Sequence, residues 1–75
     1  MEEKLLEIVN YVLRKNNKDI LERLDTSLSL RNDLKLDSLD LAELTVRIED
    51  EFDADIFEDG IIDSIEEMVN IIRRK

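Results

Sequence analysis

Apolar residues recur at helical spacing in three separate segments of the chain, and no segment shows the strict alternation typical of a strand. The first segment covers residues 2–15, the second runs from Ser38 to Phe52, and the third begins at Ile65. In each segment the apolar side chains stand three and four residues apart, which places them on one face of a helix. The sequence therefore predicts an all-α fold, a small helical bundle of three main helices that forms one domain over residues 1–75.

The connection between the first two helices, residues 16–37, is long for a chain of this size. Long loops in compact domains are either functional or contain short structure of their own. We therefore expect one short helical turn within the connection, and we expect its apolar residues to pack against the core. These residues are Ile20, Leu21, Leu24, Leu28, Leu30, Leu34 and Leu36.

Composition argues against several classes of function. The chain has no Cys and no His, which excludes disulfides, thiolate nucleophiles, zinc clusters and an imidazole base. An enzyme that works unaided is therefore not expected. No apolar run approaches the roughly 20 residues of a membrane span, and the first residues, MEEKLLEIV, lack the basic start of a signal peptide. We expect a soluble, cytoplasmic protein with no membrane insertion.

The negative charge is concentrated in one part of the chain. Residues 37–67 contain thirteen acids and a single base, Arg47, whereas residues 1–36 contain seven of each sign. Such a block repels nucleic acids and anionic lipids and attracts basic protein surfaces. The same block also suits a solvated face that only keeps a small protein soluble, so both interpretations stay open.

Two residues with capping side chains stand side by side at the start of the second helix. Asp37 and Ser38 each carry an oxygen that can accept an N–H group of the first turn, a contact that contributes about 1 kcal/mol. Asp37 with Asp40 has near capping-box spacing, which would leave the Ser38 hydroxyl unused. A phosphate ester on Ser38 would then face the N–H groups at the helix N-terminus. From these residues alone, a plain capping role for Ser38 is the simpler interpretation.

Residues 33–44, DLKLDSLDLAEL, followed by IEDEF at residues 48–52 and by Ile56, resemble the acyl carrier protein family. The family pattern is Asp-Leu-Gly-x-Asp-Ser-Leu and then an acidic helix that ends Glu-Glu-x-Phe, and the resemblance extends over nearly the whole chain. It implies an acyl-carrier-like bundle whose serine, matched by Ser38, receives 4′-phosphopantetheine from coenzyme A. The arm ends in a thiol, which explains how a chain without Cys would carry thioesters.

The resemblance also implies a set of partners. A phosphopantetheinyl transferase would modify Ser38, and acyl ligases, acyltransferases and ketosynthase-like or other acyl-using enzymes would bind through basic patches. The protein would be a monomeric, non-catalytic carrier in fatty acid, polyketide or other specialised acyl-transfer biosynthesis, without a metal. The residues that would contact partners are Asp37, Leu39, Asp40, Glu43, Thr45, Val46, Glu49 and Asp50.

Three residues depart from the family pattern. Lys35 replaces the usual Gly, so the backbone there must either avoid a positive φ or accept strain. Phe57 stands where many members have Pro, and Arg47 places a base in the acidic helix. These departures leave Ser38 unchanged, but they favour a specialised carrier over the general carrier of fatty acid synthesis.

Two alternatives compete with the carrier interpretation. Residues 55–66, DIFEDGIIDSIE, match positions 1, 5, 6, 8, 9 and 12 of an EF-hand calcium loop with Asp55, Asp59, Gly60, Ile62, Asp63 and Glu66. Phe57 offers no oxygen at the third position, and the S-x-x-E spacing from Ser64 to Glu67 starts the next helix without any metal. The other alternative, a plain acidic helical interaction domain, explains the composition but not the residues around Ser38.

Overall fold

The computed structural model describes residues 1–57 and 62–74 and contains three helices: α1 over Glu2–Lys15, α2 over Ser38–Phe52 and α3 over Ile65–Arg73. These bounds agree with the three predicted segments. The described residues form no strand, and the only β-type pairing among them is an isolated bridge between Ser29 and Ser64. The predicted all-α bundle is therefore confirmed. None of these helices combines the length and the apolar character that crossing a bilayer would require.

The C-terminal end of α1 sets the direction in which the connection leaves. Its first turn carries acids and its last turn carries bases, and both interact favourably with the helix dipole. The helix ends in a Schellman motif, in which Asn17 has a φ of 60° and its N–H donates to the Arg14 carbonyl at 3.1 Å. The Lys18 N–H donates to the Leu13 carbonyl at 2.8 Å. Asparagine tolerates this left-handed conformation better than most residues. The turn at Asn16-Asn17 places Lys18 where it contacts Asp40 of α2.

The connection contains one helical-type turn, as expected. The Asp33 N–H donates to the Ser29 carbonyl at 3.1 Å, four residues earlier. Further back, the Asn10 side chain fixes the connection to α1, because its amide exchanges two hydrogen bonds of 2.8 and 2.9 Å with the Leu21 backbone. Ile20 is an exception to the predicted packing, since 48% of its surface stays exposed. The connection's buried residues are Leu30, Leu34 and Leu36, with Leu21, Leu24 and Leu28 partly buried against them.

The hydrophobic core takes one face from each helix. The Leu30 N–H donates to the Asp63 carbonyl at 2.6 Å and the Ile65 N–H donates to the Leu28 carbonyl at 3.1 Å, so the connection is tied to the start of α3. Three further apolar residues of α2 at helical spacing, Leu39, Ala42 and Val46, are exposed and stay outside the core. The fully buried helical residues include Leu5, Val9, Val12, Leu13, Leu44, Ile48, Ile65 and Met68.

Ser64 caps α3, as the sequence predicts. Its hydroxyl oxygen accepts the Glu67 N–H at 3.1 Å. The Glu67 carboxylate accepts the Ser64 hydroxyl at 3.2 Å and the Asp63 N–H at 3.4 Å, one residue earlier than in a standard capping box. These side-chain hydrogen bonds help to stabilise the start of α3.

Candidate functional site

The N-terminus of α2 is capped by Asp37 and not by Ser38. Asp37 Oδ1 accepts the Asp40 N–H at 2.9 Å, and Asp40 Oδ2 accepts the Asp37 N–H at 3.3 Å. This reciprocal box corrects the simpler interpretation in which Ser38 is the cap. Ser38 instead occupies the first helical position, is exposed, and has no hydrogen bond to its hydroxyl from any described residue. The hydroxyl is therefore available for chemistry at the positive end of the helix.

Asp40 is buried, with 5% of its surface exposed, and its Oδ2 accepts a hydrogen bond from the Lys18 ammonium. Burial raises the pKa of the Asp40 carboxyl, but the bonds from Lys18 and from the Asp37 N–H outweigh burial and hold this pKa below its ordinary value. Asp40 is thus an ionised structural residue. The sequence analysis includes Asp40 among the partner contacts. In the structure its carboxylate is instead bonded within the protein, to Lys18 and to the Asp37 N–H.

Glu43 is also engaged within the molecule. Its carboxylate lies 3.1 Å from Lys15 Nζ on α1 and 3.1 Å from Arg47 Nε one turn later. Hydrogen bonds from Lys15 and then from Arg47 lower the pKa of the Glu43 carboxyl. The Arg47 guanidinium carbon lies 4.0 Å from the centre of the Tyr11 ring, a cation–π contact. Arg47, which the sequence shows only as an interruption of the acidic helix, therefore links α1 to α2.

The other predicted partner residues remain at the surface of α2. Leu39 is 81% exposed and Val46 is 66% exposed. Glu49 and Asp50 are exposed and have no ion pair with any described residue. Thr45 is half-buried, and its hydroxyl donates to the Leu41 carbonyl at 2.8 Å. A depression of about 730 Å³ lies on this side of the helix, lined by Glu43, Val46, Arg47, Glu49, Asp50 and Asp53.

A second concave region lies directly beside Ser38, and we call it the Ser38 groove. Its volume is about 370 Å³, which falls within the range of about 300–1,000 Å³ usual for small-molecule sites. Most of its walls are apolar, and a single cation stands at it. The lining residues are Arg31, Ser38, Leu41, Ala42, Thr45 and Phe57.

The backbone that enters α2 is strained at Lys35. Its φ is 63°, in the left-handed region that the family usually fills with Gly. The sequence leaves open whether Lys35 avoids a positive φ or accepts strain. The structure shows that it accepts strain.

The calcium-binding alternative finds no support in the described part of residues 55–66. Asp55 Oδ1 accepts the Phe57 N–H at 2.9 Å, and Asp63 Oδ1 accepts the Ser29 hydroxyl at 3.0 Å. Within residues 1–57 and 62–74, no three acids are grouped to hold a metal. Asp59 and Gly60, two of the proposed loop positions, lie outside the described residues.

A comparison with protein-family models matches the chain to the phosphopantetheine attachment site family over residues 3–72. Because the match covers nearly the whole chain, the protein belongs to this family, and the resemblance to acyl carrier proteins is confirmed. The family carries covalently attached 4′-phosphopantetheine, which is accordingly the cofactor of this protein. Comparisons with curated proteins and with solved structures give no match.

Three features of the site do not follow from the sequence alone. Lys18 pairs with Asp40, Arg31 stands beside Ser38, and Phe57 forms a wall of the same groove. The pair Asn16-Asn17 is a signal for the turn that positions Lys18, because Asn is enriched at left-handed helix ends. For Arg31 the sequence offers no such signal, since its position depends on how the connection packs.

Proposed function

We propose that Ser38 is the attachment residue and that the protein carries acyl or aminoacyl groups without catalysing their transfer. The observation that supports this most directly is the exposed Ser38 hydroxyl, which is left unbonded because Asp37 and Asp40 satisfy the cap between them. A phosphodiester on Ser38 would lie close to the N–H groups of the first turn of α2, which favour anions. Once attached, the arm supplies a terminal thiol that holds acyl groups as thioesters.

Within the described residues, the chain places no side chain in hydrogen-bonding contact with the Ser38 hydroxyl to act as a base. It contains no His, and the nearest buried carboxylate, Asp40, is occupied by Lys18 and the helix cap. The transferase must therefore take the hydroxyl proton. In the balanced step, the Ser38 oxygen bonds to the pantetheine-bearing phosphorus of coenzyme A, the pyrophosphate P–O bond breaks, and adenosine 3′,5′-bisphosphate leaves.

We further propose that Val46, Glu49 and Asp50 form the docking surface for partner enzymes. The exposed Val46 offers an apolar contact, and the two carboxylates attract basic patches. Glu43 contributes less, because Lys15 and Arg47 already neutralise it. The partners are a phosphopantetheinyl transferase and acyl ligases, acyltransferases or ketosynthase-like enzymes, which would meet a monomeric carrier in the cytoplasm. The departures at Lys35 and Phe57 favour a specialised acyl-transfer pathway.

Loading with coenzyme A tests the attachment residue. The protein is incubated with coenzyme A and a phosphopantetheinyl transferase of broad specificity, and its intact mass is measured. We expect wild type to gain one phosphopantetheine and Ser38→Ala to gain none. The free energy of unfolding of this variant should lie within about 0.5 kcal/mol of the wild-type value, because Asp37 still caps α2.

Ser27→Ala is the matched control, since Ser27 is another exposed serine but lies outside α2. It should load like wild type. A mass gain that persists in Ser38→Ala would contradict the proposal.

A further inference from the structure

One cation, Arg31, lines the Ser38 groove, and the proposed function assigns it no role. Arg31 lines the groove together with Ser38, is exposed, and forms no ion pair with any described residue. Of the other cations, Lys18 pairs with Asp40 and Arg47 pairs with Glu43, and Lys35 does not line the groove. A guanidinium that no described residue neutralises thus stands beside the attachment residue, where it can bind an anion.

The backbone that carries Arg31 is held in place on both sides. The preceding residue, Leu30, is fully buried, its N–H donates to the Asp63 carbonyl and its own carbonyl accepts the Leu36 N–H at 3.1 Å. After Arg31, the Asn32 N–H donates to the Ser29 hydroxyl oxygen at 3.1 Å. Asp33 Oδ2 closes the turn by accepting the Ser29 N–H at 2.7 Å. The Arg31 side chain therefore projects from a fixed turn, which lowers the entropy lost when it binds a ligand.

A cation beside Ser38 would offset part of the negative charge that attachment brings to this region. A phosphodiester on Ser38 adds a negative charge next to Asp37 and Asp40, in the most acidic part of the chain. The helix N-terminus compensates for part of this charge. Lys18 does not compensate for more, because its ammonium already neutralises Asp40. Of the residues that line the groove, Arg31 is the one that carries a positive charge.

We propose that Arg31 is a positioning residue for the phosphopantetheine arm: it pairs with the phosphodiester on Ser38 and lays the arm along the Ser38 groove. The inference rests on the proposed attachment at Ser38. The apolar walls, Leu41, Ala42 and Phe57, suit the aliphatic parts of the arm. Thr45 donates its hydroxyl proton to the Leu41 carbonyl, so its oxygen is the acceptor for an amide N–H of the arm.

The test compares loaded proteins that differ only at Arg31. Wild type, Arg31→Gln, Arg31→Lys and the control Arg14→Gln are each loaded with coenzyme A and a transferase, and loading is confirmed from the intact mass. Arg14 is a suitable control because it is exposed and does not line the groove. Two properties are then measured: the change in amide NMR shifts between unloaded and loaded protein, and the rate at which neutral iodoacetamide alkylates the arm. The chain has no Cys, so alkylation reports the arm alone.

In wild type we expect loading to shift the amides of Thr45 and Phe57 as well as those next to Ser38. Arg31→Gln should lose the shifts at Thr45 and Phe57, and its arm should react about two- to fivefold faster, the factor that an exposed ion pair supports. Arg31→Lys should keep most of both effects because it keeps the charge, and Arg14→Gln should match wild type.

The outcomes separate this inference from the proposed function. Loaded wild type and Arg31→Gln with equal shifts and equal alkylation rates would overturn the role of Arg31 and leave the carrier function standing. A wild type whose mass does not change would instead overturn the attachment at Ser38, and the inference with it.

Discussion

At Lys35 the backbone adopts a conformation that a side chain makes costly. The left-handed region costs a residue with a Cβ atom roughly 1–2 kcal/mol, and Lys35 lies there with a φ of 63°. The neighbouring residues hold it, because Leu34 and Leu36 are both buried in the core. The strain is therefore a consequence of packing the connection ahead of Ser38.

Replacement of Lys35 by Gly should relieve this strain. We expect Lys35→Gly to raise the free energy of unfolding by about 0.5–1 kcal/mol, since the gain exceeds the extra entropy that Gly loses on folding. Urea unfolding followed by circular dichroism measures the change. Lys35→Ala is the control, because it removes the same charge and the same side-chain atoms beyond Cβ but keeps Cβ itself. Equal stabilisation by Ala and Gly would show that the backbone conformation is not the cause.

The pair of Lys18 and Asp40 makes stability depend on pH at the acid end. The folded pKa of Asp40 is lowered, so its contribution to stability is fully present above the ordinary Asp value of about 3.9. That contribution is lost as the pH falls through the lower folded pKa. Loss of Lys18 removes two of the interactions that lower the pKa of Asp40, its hydrogen bond and its charge, so this pKa should rise.

Lys18→Met should therefore lower the free energy of unfolding at neutral pH by about 1–3 kcal/mol, because it leaves a buried carboxylate without its cation. The pKa of Asp40, followed by carbon NMR of the carboxyl group, should rise in the same variant. Lys4→Met removes an exposed pair with Glu7 and should change stability by less than about 0.5 kcal/mol. An unchanged pKa of Asp40 in Lys18→Met would contradict this account.

At the scale of the elements, α2 divides into two halves with different tasks. The first half carries the cap, Ser38 and the groove, and its acids Asp40 and Glu43 are paired inside the molecule. The second half exposes Val46 together with Glu49 and Asp50, which form no ion pair with a described residue. Partner attraction should accordingly depend on the second half.

Charge reversal tests this division. We expect Glu49→Lys to slow loading by the transferase about three- to tenfold at low ionic strength and much less at high salt, because ions screen electrostatic steering. Loading rates at several salt concentrations, measured from intact mass, give the comparison. Glu22→Lys makes the same charge change at an exposed site on the connection and should load like wild type. Equal slowing by both variants would show that only the net charge matters.

At the scale of the whole molecule, the sequence predicts those features of the fold that depend on residues close together in the chain. The three helices, their polar ends and the cap at Ser64 follow from spacings of three and four residues. The choice between Asp37 and Ser38 as the cap does not follow, because both side chains can cap and the reciprocal bond from Asp40 decides the outcome.

Contacts between distant residues are the part that the sequence does not predict. Lys18 and Asp40 are 22 residues apart, and Arg31 lines the groove next to Leu30, whose N–H bonds to Asp63 just before α3. These contacts arise from packing, which local periodicity does not encode. The contact from Lys18 occupies Asp40 and so removes it from the acids of α2 that stay available for a partner.

Peptide mapping tests most directly whether the arm is attached to Ser38. The loaded wild-type protein is cleaved with trypsin after Lys35 and Arg47, and the peptide of residues 36–47 is fragmented in the mass spectrometer. This peptide contains two hydroxyl side chains, Ser38 and Thr45, so fragments that break the chain between them assign the group. We predict that the phosphopantetheine is found on Ser38, and its location on Thr45 or on any other peptide would contradict the account.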